Sequence, residues 1–308
     1  MISDKTIITV IPAYNVQYQI TDTIEGIKSF VDYIIVVDDC SSDNTNDIVK
    51  GISDDRVILL KNLKNQGVGG ATTAGFKKGL DLGGDIFIKF DGDGQMDPGR
   101  MEELIKPLFD GYDYAKGNRF IHSNELNTMP TVRIIGNFIL TFLTKLASGY
   151  WKIFDPQNGY VAINREALMK LPLDNLYKRY FFENDMLVNL NIDRSKVVDV
   201  SMPAIYGDEK SSLKIRKIIF TFPSLLFGRF IRRIYKKYIL YDFSVIGFFY
   251  IVGLILMLFG SIFGSYHWIK SVYTGYVATT GTVMIAVLPI MLGFQMFLQG
   301  IVLEIEQN

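Results

Sequence analysis

The chain has 308 residues, 49% of them hydrophobic, and its 32 basic and 32 acidic side chains cancel to a formal net charge of zero. Zero net charge argues against a nucleic-acid binder. The one cysteine, Cys40, excludes an intrachain disulfide framework and fits a cytoplasmic domain.

The first apolar run, Thr6 to Ile11, is short, β-branched and without a basic leader, so it reads as a strand and not as a cleavable signal. It ends in Pro12-Ala13-Tyr14-Asn15. A second strand, Tyr33 to Val37, runs into the polar turn Asp38 to Thr45. The Gly-rich stretch Gly67 to Gly75 lacks the third glycine of a dinucleotide fingerprint, and Phe76 stands where a P-loop needs its Lys, so dehydrogenase and ATPase readings fall away. It reads instead as a turn opening a helix that carries Lys77 and Lys78 and letting backbone approach a ligand.

A third strand, beginning at Ile86, carries Asp91, Asp93 and Gln95 at alternate positions into a glycine-rich turn. Asp and Gly populate turns for backbone reasons alone, but three strands whose C-terminal ends all bear polar turns describe an open α/β sheet. Such sheets bind ligands at the carboxyl ends of their strands. Oxygen ligands in this turn suit a hard divalent cation beside a diphosphate, which points to a sugar nucleotide.

The C-terminal part differs in kind. Lys210 to Tyr238 carries Lys and Arg interleaved with Phe, Ile and Leu and no acidic residue, the pattern of amphipathic helices at a membrane interface, which Pro223 is expected to break into two. No charged residue occurs from Phe243 to Gly264 or from Ser271 to Leu303, and each stretch exceeds the roughly 20 residues of a membrane-spanning helix. The basic side and the poorly charged loop around Lys270 place the catalytic domain and the C-terminus in the cytoplasm. The expected division is a catalytic domain over 1–209, interface helices over 210–240 and a transmembrane hairpin over 241–308, with spans near 243–264 and 279–303.

PAYN (Pro12 to Asn15), VVDDCSSDNT (Val36 to Thr45), NQGVGGA (Asn65 to Ala71) and FDGDGQMDP (Phe90 to Pro98) together resemble family 2 glycosyltransferases of the GT-A fold. With GNRF (Gly117 to Phe120), DPQNGY (Asp155 to Tyr160) and two C-terminal spans, the chain looks like the polyprenyl-phosphate group that includes dolichyl-phosphate mannose synthase. The resemblance covers about residues 5 to 215 motif by motif. It implies a Rossmann-like open mixed sheet flanked by helices, with amphipathic interface helices and the hairpin appended. It further implies inverting transfer of one sugar from a UDP- or GDP-linked donor to polyprenyl phosphate at a lipid membrane, and it is compatible with a homo-oligomer.

Residue by residue, the resemblance gives Pro12, Tyr14, Asn15, Asp39 and Gly67 to the nucleotide sugar. It gives Asp91, Asp93 and Gln95 to Mg²⁺ or Mn²⁺ and the diphosphate. Arg119 and Arg133, with Asp91 and Asp93, are the expected catalytic groups; Arg119, Arg133, Asn137, Lys210 and Ser211 are expected around the acceptor phosphate. Val16 and Gln17 stand where the family usually has Glu, and the Arg usual before the Gly207 loop is missing. A lipid phosphate arrives largely ionised, with a second pKa of about 6, so positioning by Arg forks matters more than a general base. Glu183 and Asp185 therefore read as structural or acceptor-side groups, and Asp155 as either a turn cap or a sugar ligand. The rival reading is a membrane family 2 enzyme with a hydroxyl acceptor. The Q-x-x-R-W motif of processive synthases is absent, since neither Trp151 nor Trp268 follows an Arg.

Overall fold

The structure, a computed structural model, describes residues 4–119, 131–202 and 215–307. Its chain divides into two compact units, 1–230 and 231–308.

The first unit is built on a seven-stranded mixed sheet of order β3-β2-β1-β4-β6-β5-β7. The strands are β1 (Ile7–Ala13), β2 (Tyr33–Asp38), β3 (Val57–Lys61), β4 (Ile86–Lys89), β5 (Tyr114–Asn118), β6 (Val161–Asn164) and β7 (Val197–Ser201). β3, β2, β1 and β4 run parallel; β6 runs antiparallel between β4 and β5, and β5 pairs in parallel with β7. β1 and β4 are buried along their whole length, as near-continuous apolar strands covered on both faces must be. The reversal of β6 brings the loop before it to the edge where β1, β2, β4 and β5 end.

The helices of this unit are α1 (Ile20–Glu25), α2 (Thr45–Lys50), α3 (Val68–Asp81), α4 (Met101–Phe109), α5 (Thr131–Ser148), α6 (Arg165–Lys170) and α7 (Phe182–Ile192). One buried cluster joins Ile7, Ile11, Ile34 and Ile88 to Leu104 and Ile105 of α4; another joins Ile8, Val10 and Phe87 to Phe76 of α3 and Leu187 of α7. Thus both faces of the sheet carry apolar side chains.

Helix α3 carries Gly69, Gly70, Gly75 and Gly79, a costly composition for a helix. Close packing explains it: a Cβ at Gly75 would stand 2.2 Å from Val10 Cγ1, and one at Gly79 would stand 2.7 Å from Phe87 Cε1. The helix lies flush on the sheet only because these positions lack side chains. A Cβ at Gly69 would likewise be 2.5 Å from the Tyr177 carbonyl. These glycines admit the protein's own backbone and side chains at close range.

Helix α8 (Ile215–Tyr235) is continuous through Pro223, contrary to the expected break into two helices. A proline can be carried inside a helix when packing compensates the lost hydrogen bond; here Phe222, Leu226 and Phe230 are all buried. The phenyl rings of Phe222 and Phe181 meet edge to face at 5.3 Å.

The second unit contains a π-helical turn, Lys236–Leu240, and two long helices, α9 (Val245–Thr274) and α10 (Thr280–Gln307). Both long helices are apolar and long enough to cross a membrane. They pack through small residues: a Cβ at Gly253 would be 2.8 Å from the Gly293 carbonyl, and one at Gly260 would be 2.5 Å from that of Ala286. That is the close approach by which membrane helices associate. At the foot of this unit the buried Glu304 pairs with buried Arg233 and accepts hydrogen bonds from Tyr238 Oη at 2.5 Å and Tyr250 Oη at 3.0 Å.

Candidate active site

The strand ends assemble three loops on one edge. After β1, Asn15 adopts φ +56° and its Oδ1 accepts from the Ser42 N–H at 2.8 Å, while the Asn15 N–H donates to Ser41 Oγ at 3.0 Å. Gln17, one of the departures from the family pattern, accepts from the Asn44 N–H at 3.0 Å and donates its own N–H to Asp43 at 3.2 Å. The β1 and β2 loops are therefore laced together through backbone groups. Pro12 is buried on β1, whereas Tyr14 is half exposed beside it.

Asp39 is 2% exposed and binds the Gly-rich turn, accepting from the Gln66 N–H at 2.9 Å, the Gly67 N–H at 2.7 Å and Asn62 Nδ2 at 2.7 Å. Gly67 takes φ +84°, a conformation in which a side chain would be strained. Asp39 thus ties the Gly-rich turn to the end of β2.

The acidic turn leaves β4 at Asp91. Gly92 lies against the first loop, where a Cβ would come within 3.3 Å of the Pro12 carbonyl. Asp91 Oδ1 accepts from Lys89 Nζ at 2.6 Å, and Lys89 also pairs with Glu183 Oε1 at 3.3 Å and donates to the Gly159 carbonyl at 3.2 Å. Lys89 is fully buried. Burial alone would lower the pKa of its ammonium, but the Asp91 and Glu183 carboxylates prevail and hold it above its ordinary value. Burial pushes the Glu183 carboxyl up, against the pull of Lys89. Glu183 is accordingly the counter-charge of a buried lysine. A Cβ on Gly159 would fall 2.5 Å from Lys89 Nζ and 2.7 Å from Asp91 Oδ2, so DPQNGY needs its glycine for this cluster.

A divalent cation fits the residues present. Lys89 holds one oxygen of Asp91; Asp93 and the exposed Gln95 follow on the same turn, with Asp93 Oδ1 accepting from the Gln95 N–H at 3.1 Å. The donor set is all oxygen, and no group of three or more His, Cys, Asp or Glu suited to a metal occurs among the described residues. Mg²⁺ is usually bound through one or two carboxylates, with waters and substrate phosphates completing its shell.

Arg119 follows β5 on the same edge. Its Nε and Nη2 donate to the two oxygens of buried Asp155 at 2.7 and 3.1 Å. Asp155 thereby orients Arg119. Burial would raise the Asp155 pKa, but Lys116 and Arg119 hold it below the usual carboxylate value. Arg133 and Asn137 stand about one helical turn apart on α5; Lys210, Ser211, Phe120 and His122 lie outside the described residues.

Sequence reasoning missed Lys89 and Lys116. The only available signal was a lysine inside an otherwise apolar strand, IFIKF for one and YAKGN for the other. Lys116 is fully buried and, among the described residues, its Nζ has no hydrogen-bond partner; burial brings its pKa down to about 8 against the pull of Asp155 and Asp199. Below pH 8 this ammonium is charged in both the folded and unfolded chain, and folding bears the cost of burying it. Between pH 8 and 10.5 the unfolded chain binds the extra proton, so stability rises with pH. Lys116→Met should remove a rise of about 3 kcal/mol across that window, seen as a flatter dependence of the thermal midpoint on pH.

Known proteins similar to this chain bear on this arrangement. The model of the family described as glycosyl transferase family 2 matches residues 8–171. The UDP-N-acetylglucosamine–dolichyl-phosphate N-acetylglucosaminyltransferase of Methanococcus voltae is 34% identical over 67% of this chain and 88% of its own. The undecaprenyl-phosphate mannosyltransferase of Micrococcus luteus is 27% identical over 67% of this chain and 87% of its own. Among solved structures, glucosyl-3-phosphoglycerate synthase from Mycobacterium tuberculosis, in complex with Mn²⁺, UDP and glucosyl-3-phosphoglycerate, superposes with a TM-score of 0.54 at 20% identity, over 75% of this chain and 80% of that one. That likeness establishes the fold, and the match of the family model over more than half of the chain establishes the membership: this protein belongs to glycosyl transferase family 2.

Proposed function

We propose that the protein transfers one sugar, with inversion at the anomeric carbon, from a UDP-linked donor to a polyprenyl phosphate at the cytoplasmic face of a membrane. The observation that carries the proposal is the convergence of the Asp91–Asp93–Gln95 turn, the Asp39–Gly67 loop and the Asp155-held Arg119 on one sheet edge, in a chain that also bears two helices apolar enough to span a bilayer. The Methanococcus relative, whose name specifies a UDP-sugar donor and a dolichyl phosphate acceptor, supports the choice of nucleotide and lipid.

In this reading Pro12, Tyr14, Asn15, Asp39 and Gly67 line the nucleotide. Asp91, Asp93 and Gln95 would hold Mg²⁺ or Mn²⁺, which supplies Lewis-acid stabilisation of the charge that develops on the departing diphosphate. Arg119 and Arg133 fix the acceptor phosphate, whose oxygen attacks the anomeric carbon; Asn137, Lys210 and Ser211 complete its surroundings. The attacking phosphate is already ionised, so no side chain need remove a proton. That requirement separates this reading from a hydroxyl acceptor, which needs a base. Glu183, buried and paired with Lys89, is poorly placed to be one. The reading takes 1–209 as the catalytic domain, 210–240 as interface helices and 241–308 as the membrane hairpin.

The test is transfer by the purified full chain in detergent, with polyprenyl phosphate and a panel of UDP- and GDP-sugars, with and without Mn²⁺. Transfer to the lipid phosphate from a UDP-sugar is expected; transfer only to a hydroxyl acceptor would favour the rival. Charge reversal, Arg133→Glu, should raise the KM for lipid phosphate about 100-fold with little change for the donor, the size of losing a charge-assisted bond. An unchanged acceptor KM would remove Arg133 from the acceptor site.

A further inference from the structure

The first turn of α7 carries two buried carboxylates, and each holds a cation from a different part of the chain. Glu183 pairs with Lys89 behind the acidic turn. Asp185, fully buried, pairs with Arg229 of α8, whose Nε lies 2.6 Å from Asp185 Oδ1 and whose Nη2 donates to Oδ2 at 3.0 Å. The same Oδ2 accepts from the Tyr177 N–H at 2.9 Å. Tyr177 opens the segment that leads into α7, and this segment backs the Gly-rich turn: the Gly70 N–H donates to the Lys178 carbonyl at 3.0 Å, and a Cβ on Gly67 would stand 2.7 Å from that carbonyl.

Both donor loops therefore rest on one helical turn. One route runs from Asp185 through the first turn of α7 to Glu183, Lys89 and Asp91. The other runs from Asp185 through Tyr177 and Lys178 to Gly67, whose N–H donates to Asp39. Arg229 is the ionic anchor from outside this turn, and the buried Phe222 and Leu226 on the same helix hold it in place.

From this geometry we infer that Arg229 is a positioning residue for the donor site. It is remote in sequence from every donor motif, but by fixing Asp185 it sets the two loops that receive the nucleoside diphosphate and its cation. The inference rests on the reading of those loops as a sugar-nucleotide site. Its chemical expectation is specific: weakening the Arg229–Asp185 pair loosens nucleotide–cation binding while the acceptor's KM stays where it was.

The experiment titrates Mn²⁺ with UDP, and separately with GDP, into the purified full chain in detergent, comparing the unaltered protein with Arg229→Met, Arg229→Lys and the paired variant Asp185→Asn/Arg229→Gln. The paired variant removes both charges, so it stays measurable if Asp185 left alone unfolds the chain. Arg229→Met or the paired variant should weaken nucleotide affinity on the order of 10-fold, the usual scale of coupling between linked sites. Arg229→Lys, which keeps the charge, should recover part of it. A merely structural role would lower the thermal midpoint of the variants and leave the affinity of the folded protein unchanged. Equal nucleotide affinity in the unaltered chain and in the folded variants overturns this inference alone. Failure of the unaltered chain to bind either nucleotide overturns the donor-site reading and this inference with it.

Discussion

Replacing Lys89 with Met is expected to destabilise the protein by about 3–5 kcal/mol, because removing one partner of a buried ion pair strands the other. Glu183, with its side chain 8% exposed, would remain without its cation. Turnover should fall as well, by roughly 100-fold or more, since small displacements at a reacting centre carry losses of that order, and Asp91 would lose the bond that orients it. The two effects separate in the variant Lys89→Met/Glu183→Gln. With both charges gone the thermal midpoint should recover most of its loss, as neutral replacements of buried pairs often do, while turnover stays low. Recovery of turnover along with stability would show that Lys89 only balances Glu183.

Asp91→Ala is the second large effect, and of the opposite kind. Asp91 is partly exposed, and Lys89 keeps Glu183 as a partner, so stability and membrane insertion should change little. Turnover should drop on the order of 1000-fold, about 4 kcal/mol of transition-state stabilisation, comparable to deleting one preorganised charge-stabilising contact. The remaining activity should lose its response to added Mn²⁺. Normal metal-dependent turnover in Asp91→Ala would remove the acidic turn from the chemistry.

Some of this arrangement was legible along the chain and some was not. Apolar strands ending in polar turns gave the α/β sheet and the edge on which the loops meet, since each strand and its turn are contiguous. The long uncharged helices were equally plain, because a bilayer demands a run of residues and leaves no room for alternatives. Asp155 is different: its partner Arg119 lies 36 positions away, and the pairing exists only because β6 runs antiparallel and returns its preceding loop to the end of β5. Lys89 read as an ordinary strand residue, and nothing local pairs it with Glu183, which arrives from α7. Pro223 failed as a breaker because the local penalty was outweighed by burial of Phe222, Leu226 and Phe230. The glycines of α3 were visible, but whether a ligand or the sheet fills the space beside them depends on where Val10 and Phe87 stand.

The sequence by itself determined the class of sheet, the family, the acidic turn and the apolar hairpin, because each is written in contiguous residues whose pattern or spacing carries the physics. Only the tertiary structure decided which charges meet. Lys89 with Glu183, Asp155 on Arg119, and Asp185 on Arg229 each join residues on separate elements. Burying a charge is costly unless it is paired, and the partner is chosen by the order and direction of the strands, a property of the folded sheet that no local stretch of sequence contains.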